Sequence, residues 1–205
     1  VALGAGCQTH TASQFPLGLE PVGENTAPPP AGSPDDPYPE RQSMVMGERG
    51  DVAYVHARAF VRAPIARVWA AFRVPDVVVD RRGITRFTVT HDVEDGFDVS
   101  FRTRYTIEDV VTVQFDVTWR QSATEGTAAE PLRVAMKYQK TWGSSFIRRM
   151  TGSIELLAET DDVTSIAWVQ ELDAVRTGPE DVASWCRDMY ANVLAHVRGE
   201  PLPTY

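Results

Sequence analysis

The chain ends on the segment that dictates how everything before it must pack. After Gly178-Pro179, residues Val182, Trp185, Cys186, Met189, Tyr190, Val193, Leu194 and Val197 recur at helical spacing, and Gly199 and Pro201 stop the run. Glu180 and Asp181 suit the positive end of a helix that begins there. The pattern predicts an amphipathic helix of about five turns over 179–198. The long segments ahead of it read as strands in series, and an antiparallel sheet that is apolar on one face must cover that face. The expected fold is therefore α+β, a helix-grip. A curved antiparallel sheet of about six to seven strands wraps the C-terminal helix, and two short helices follow the first strand.

That first strand is "DVAYVHARAFV", in which Ala53, Val55, Ala57, Ala59 and Val61 make one face of small side chains. Pro64 then resets the chain. Ile65, Val68, Trp69 and Phe72 form the apolar stripe of a short helix, which Val74-Pro75 should end, and "DVVVDRRG" reads as a further helical turn or a linker. A three-residue loop with Gly96 in the left-handed region sets Phe87, Val89, His91 and Val93 opposite Thr103, Phe101, Val99 and Phe97. With Glu108 to Val110 as the next loop, Tyr105 meets Val113, Phe101 meets Val117 and Val99 meets Trp119. On the other face of that hairpin Arg102 meets Asp116 and Asp98 meets Arg120, so charges and apolar groups agree on one register. Residues 133–142 make a strand with Val134, Met136, Tyr138, Lys140 and Trp142 on one side. A last hairpin turns at Asp161-Asp162, with Ile154, Leu156 and Ala158 facing Ile166, Trp168 and Leu172.

The net charge of −8 argues against a nucleic-acid partner, because neutralising phosphates needs a basic face. No stretch approaches the roughly 18 apolar residues that span a bilayer. The four histidines, His10, His56, His91 and His196, have no metal-site spacing, and no cofactor or metal is implied. Eight of the fourteen prolines fall between Pro16 and Pro39, which reads as an extended, disordered tether over 8–50. The expected layout is a leader over 1–7, this tether, a domain over 51–199 and a tail over 200–205.

"VALGAGC" resembles the end of a bacterial lipoprotein signal, where small and apolar residues precede a cysteine that becomes lipid-modified, although Leu3 stands one place further from the cysteine than usual. The resemblance implies lipidation at Cys7 and a membrane partner at the cell envelope through that anchor. Without the anchor the location would be cytoplasmic.

The strand followed by "APIARVWAAF" and "VPD", and the closing "TGSIELLAETDDVTSIAWVQELDA", resemble the START-like or SRPBCC superfamily over about residues 51–198. That group includes lipid-transfer domains and polyketide cyclases. It carries no catalytic motif in this chain, and "DRRGITRF" departs from the aromatic that relatives often place after the short helices. The resemblance implies an internal hydrophobic cavity. Its expected walls are Phe101, Phe115, Val117, Met136, Trp168, Trp185 and Met189, with Thr103, Tyr105, Tyr138 and Gln170 to fix a ligand's polar group. The expected function is binding or transport of a hydrophobic small molecule or lipid. One alternative is a cyclase or hydratase in which His91, Tyr105 or Tyr138 polarises a carbonyl substrate. Another is a scaffold with a filled core. Cys186, on the apolar face of the helix, reads as a buried, inert thiol.

Overall fold

Ala53, Val55, Ala57, Ala59 and Val61 are all buried, and the C-terminal helix lies against the face they form. The structure, a computed structural model, describes residues 9–108 and 111–205. Its strands are β1 (His10–Ala12), β2 (Gln42–Arg49), β3 (Val52–Val61), β4 (Arg86–His91), β5 (Val99–Ile107), β6 (Val113–Gly126), β7 (Pro131–Ser144), β8 (Ile147–Thr160) and β9 (Val163–Ala174). Its helices are α1 (Ile65–Phe72), α2 (Pro75–Val78) and α3 (Pro179–Arg198). The strands pair antiparallel in the order β2-β3-β9-β8-β7-β6-β5-β4, and β1 pairs with the end of β7. This is the expected curved sheet gripping a terminal helix, and its strand order leaves it open between β2 and β4. The two strands beyond the expected seven come from residues read as tether.

α3 begins where the Asp181 carboxylate accepts the Gly178 N–H at 2.8 Å and ends where Gly199 turns left-handed at φ +72°. Val182, Cys186, Met189, Val193 and Val197 are buried on its sheet-facing side. A fully buried Val or Met side chain contributes about 1.5–3 kcal/mol, so this stripe anchors the grip. α1 is fixed to the sheet by Gln121, whose Oε1 accepts from Trp69 Nε1 at 2.7 Å while its amide donates to the Phe72 carbonyl at 3.2 Å. No described helix is long and apolar enough to cross a membrane.

Both early hairpins keep the expected faces but slip by two residues. Phe87 pairs with Tyr105, Val89 with Thr103 and His91 with Phe101. Tyr105 pairs with Phe115, Phe101 with Trp119 and Val99 with Gln121. In the first, pairing stops at His91 because Asp92 takes φ +52°. The longer loop is closed by Ser100 Oγ, which binds the Glu94 N–H and carbonyl at 2.9 Å each. Gly96 is left-handed as expected, at φ +85°. In the second, residues 109–110 of the expected loop lie outside the described residues. Asp116 pairs with Arg102 as expected, at 3.9 Å, but its main grip is the Arg104 fork at 2.8 and 2.9 Å. Arg120 pairs with Glu94 rather than Asp98. Trp142 also departs from the expected face. A bulge opposite Asp116 and Val117 leaves Thr141 as an extra residue. Trp142 is thereby turned to the outer face, where it stacks on His10 at 4.8 Å beneath the Arg104 guanidinium.

Within the expected disordered tether over 8–50, the described residues from 9 onward instead pair with the sheet as β1 and β2 or lie against its outer face. Beyond β1 and β2, Phe15 covers the Arg120 guanidinium at 3.7 Å, and the Val22 N–H reaches Ser153 Oγ at 3.1 Å. Asn25 Nδ2 donates to the carbonyls of Ala57 and Trp168 at 2.9 and 3.1 Å, and Arg58 Nε donates to the Ala27 carbonyl at 2.9 Å. Such a segment builds no core of its own, but it needs none where a finished sheet offers it partners. The tail over 200–205 also folds back. Arg81 donates to the Pro203 carbonyl at 2.8 Å, and the Tyr205 hydroxyl reaches Asn192 Oδ1 at 3.0 Å.

One strap contact titrates. The Thr26 N–H donates to His56 Nδ1 at 3.0 Å, which requires that nitrogen to be unprotonated. Burial first, and the nearby Arg49 charge second, lower the His56 pKa from 6.5, against a raising influence of Glu171. The unfolded chain therefore binds more protons than the folded one just below pH 6.5. Stability is full above that pH and falls as pH drops toward the folded pKa. The urea midpoint is expected to decline across that interval, and His56→Gln, which keeps an acceptor, should flatten the decline. An unchanged slope in the variant would reject the assignment.

Candidate functional site

Between the first turns of α3 and the arm formed by β5 and β6 lies a cavity of about 320 Å³. α3 contributes Asp181, Val182 and Trp185. The β5–β6 arm contributes Tyr105, Ile107, Val113 and Phe115. Ile147 and Met150 of β8 and Leu172 and Ala174 of β9 close the far wall, and Asp80, Gly83 and Ile84 complete it from the loop after α2. Phe146 and Val175, both exposed at the surface, frame the opening. The walls are mostly aliphatic and aromatic. The polar groups present are Asp80, Thr177, Asp181, the Tyr105 phenol and the Trp185 indole N–H.

Three of the expected wall residues reach this cavity: Tyr105, Phe115 and Trp185. The others pack behind it. Phe101 stacks on Trp119 at 5.7 Å, Trp119 on Tyr138 at 4.0 Å, and Trp185 meets the edges of Tyr138 at 6.1 Å and Trp168 at 5.5 Å. Thr103, Val117 and Met136 are sealed into the same core. Trp168 and Met189 border a second space of only about 10 Å³, too small for a ligand and barely enough for one water. The aromatic stack therefore fills the middle of the grip and confines the open volume to one end.

The expected polar groups divide in the same way. The Tyr138 hydroxyl donates to Gln170 Oε1 and accepts from Trp168 Nε1 at 2.8 Å, and Gln170 Nε2 donates to the Glu171 carbonyl at 2.9 Å. Burial raises the Tyr138 pKa well above its ordinary value. The pair is satisfied within the core and lies outside the cavity's lining. Gly152 makes room for it, since a Cβ there would sit 2.2 Å from the Tyr138 hydroxyl. His91 lies exposed on the edge strand β4, its ring 6.3 Å from Phe101, and takes no part in the cavity. Lys140 is buried and directs its ammonium to the carbonyls of Ser144 and Ile147, at 3.0 and 2.5 Å, so it closes the turn that carries Phe146. Cys186 is a free, buried thiol whose pKa burial raises, in keeping with an inert role. Cys7 lies outside the described residues.

Sequence reasoning missed the mouth. Phe146, Ile147 and Met150 stand in "GSSFIRRM", which alternation alone does not place, because the turn between β7 and β8 interrupts the pattern. Ile84, Ile107 and Val113 lie at strand ends or in a loop, where periodicity is weakest. Leu172 and Val182 were on the inward faces and could have been named.

No protein-family model matches the chain, and no curated protein matches it in sequence. Solved structures do match in fold. The lipid transfer and protein localization domain of human StarD13 is 10% identical, with a TM-score of 0.50 over 79% of this chain and 85% of that one. The Zhui aromatase/cyclase of a Streptomyces species is 12% identical, with a TM-score of 0.47 over 72% of this chain and 92% of that one. A norcoclaurine synthase mutant from Thalictrum is 13% identical, with a TM-score of 0.44 over 75% and 98%. Taken with a sheet that grips its C-terminal helix and a cavity at the open end, the likeness to the StarD13 domain establishes that this chain has the START-like helix-grip fold.

Proposed function

We propose that the domain binds a compact hydrophobic small molecule in the cavity at the first turns of α3. The observation that carries this reading is an apolar space of about 320 Å³ open to the surface, at the small end of the ~300–1,000 Å³ typical of ligand sites. That size favours a ring system or a single short chain over a two-chain lipid. The likeness in fold to a domain described as lipid-transferring supports the general class. A filled-core scaffold fits less well, because the filling stops short of this end. A carbonyl-polarising enzyme keeps one supporting feature: of His91, Tyr105 and Tyr138, Tyr105 alone borders the cavity.

The test is to fill the space. Ala174 faces it from β9, and Ala174→Phe would place a ring inside. The neutral fluorescent probe N-phenyl-1-naphthylamine should bind the native protein and bind the variant at least about tenfold more weakly, with unchanged far-ultraviolet circular dichroism. Equal binding to both would reject the cavity as the site.

A second part of the proposal concerns the membrane. The lipoprotein-like leader suggests an anchor at Cys7. The Thr9 carbonyl accepts the Ser145 N–H at 3.0 Å, and His10 pairs with Ser144. The next residue along β7's turn, Phe146, borders the cavity mouth. An anchor at Cys7 would thus hold the opening toward the bilayer. In a bacterial host, Cys7→Ala should shift the protein from the membrane to the soluble fraction, and unchanged partition would reject the anchor.

A further inference from the structure

Three buried polar groups at or just behind the inner wall of the cavity lack hydrogen-bond partners among the described residues: Trp185 on the wall itself, and Thr103 and Trp119 behind it beside the Tyr105 hydroxyl. Thr103 is fully buried, Trp119 is 1% exposed, Tyr105 4% and Trp185 9%. Thr103 Oγ1, Trp119 Nε1 and Trp185 Nε1 have no hydrogen-bond partner among the described residues. Tyr105 and Trp185 border the cavity directly. Thr103 and Trp119 adjoin the Tyr105 hydroxyl closely enough to influence its ionisation, yet neither meets it in hydrogen-bonding geometry. The indole of Trp119 stacks on the Tyr138 ring whose edge Trp185 meets. Deeper in the same core the Tyr138–Gln170–Trp168 set satisfies its own polar groups. Each orphaned buried donor costs about 1–3 kcal/mol, a cost that a suitable ligand atom would relieve.

We infer that this wall is a hydrogen-bonding subsite for a neutral oxygen acceptor, the carbonyl of a ketone, ester or amide, on an otherwise hydrophobic ligand. The inference rests on the cavity reading above and adds the ligand's chemistry. An indole N–H donates and never accepts, so the ligand atom must be an acceptor. Burial, with a smaller push from the charge of Asp80, holds the Tyr105 phenol protonated, so it too is available to donate. A carboxylate fits poorly. No Lys, Arg or His is among the described residues that line the cavity, and Asp80 and Asp181 stand at its edge, leaving an anion unpaired and repelled.

The test uses three probes of one shape class: fluorene, 9-fluorenone and 9-fluorenecarboxylate, each titrated into the full protein. Fluorenone should bind about tenfold more tightly than fluorene, the effect of about one well-placed hydrogen bond, and more tightly than the carboxylate. Tyr105→Phe and Trp185→Phe, which remove the two donors that border the cavity, should each pull the fluorenone-to-fluorene affinity ratio toward one. Tyr105→Phe is near-isosteric and removes only the hydroxyl, so its fold should persist. If fluorene and fluorenone bind the native protein equally, the subsite is overturned while the hydrophobic cavity stands. If the carboxylate binds most tightly, the neutral class is overturned. If none of the three binds, the cavity reading and the subsite fall together.

Discussion

Truncating Trp119 to alanine is expected to cost about 3–5 kcal/mol of folding stability. The indole is 1% exposed and sits at the middle of the aromatic stack, 4.0 Å from the Tyr138 ring and 5.7 Å from Phe101. Its Nε1 has no hydrogen-bond partner among the described residues, so the loss is one of packing and not of a hydrogen bond. Neighbouring strands hold Phe101 and Tyr138 in register on either side, and the backbone cannot collapse into the space. Trp119→Phe, which removes the orphaned donor and keeps a ring, should cost far less. Urea unfolding of the two variants measures the difference. An alanine variant within about 1 kcal/mol of native stability would mean that the stack does not carry the core.

Gly143→Ala should be nearly as damaging, about 3 kcal/mol or more. Gly143 has φ +124°, and a Cβ there would lie 2.4 Å from both the Gln114 carbonyl oxygen and Phe115 Cα. Those are backbone atoms of the facing strand, so relief requires β6 and β7 to separate beside the bulge. Phe115 borders the cavity, and its displacement should weaken probe binding as well as lower the melting temperature. Gly96→Ala provides the control. Its φ is +85° but its Cβ would meet nothing within 4 Å, so it should show only the left-handed penalty of about 1–2 kcal/mol. If the two variants melt alike, the close approach at Gly143 is not what disfavours a side chain there.

The faces of nearly every strand were legible and their registers were not. Phe101, Thr103 and Tyr105 are inward as alternation predicts, yet each pairs two residues away from its expected partner. A slip of two preserves every side chain's face, so hydrophobic pattern gives the two registers almost the same energy. The choice falls to loop contacts such as Ser100 with Glu94 and to the Arg104–Asp116 fork. Trp142 shows the converse. A single bulge residue reverses a face, and no periodicity announces it.

The proline-rich segment was misread for a related reason. Composition reports whether a segment can fold alone, and this one folds against something else: Asn25, Thr26 and Phe15 find partners on strands far away in the chain. The candidate site was half legible. That an apolar interior would hold Tyr105, Phe115 and Trp185 followed from their faces. That Tyr138, Gln170 and Trp168 would satisfy one another and leave the ligand space elsewhere did not.

From residue order alone come the long terminal helix, the all-antiparallel strands before it and hence the helix-grip, because amphipathic periods of 3.6 and 2 are local properties that leave few ways to bury both faces. Only the tertiary structure decides where the grip stays hollow. Side-chain volumes from α3, four strands and the loops between them must be summed in three dimensions to find the end that the aromatic stack does not fill, and no local period encodes that sum.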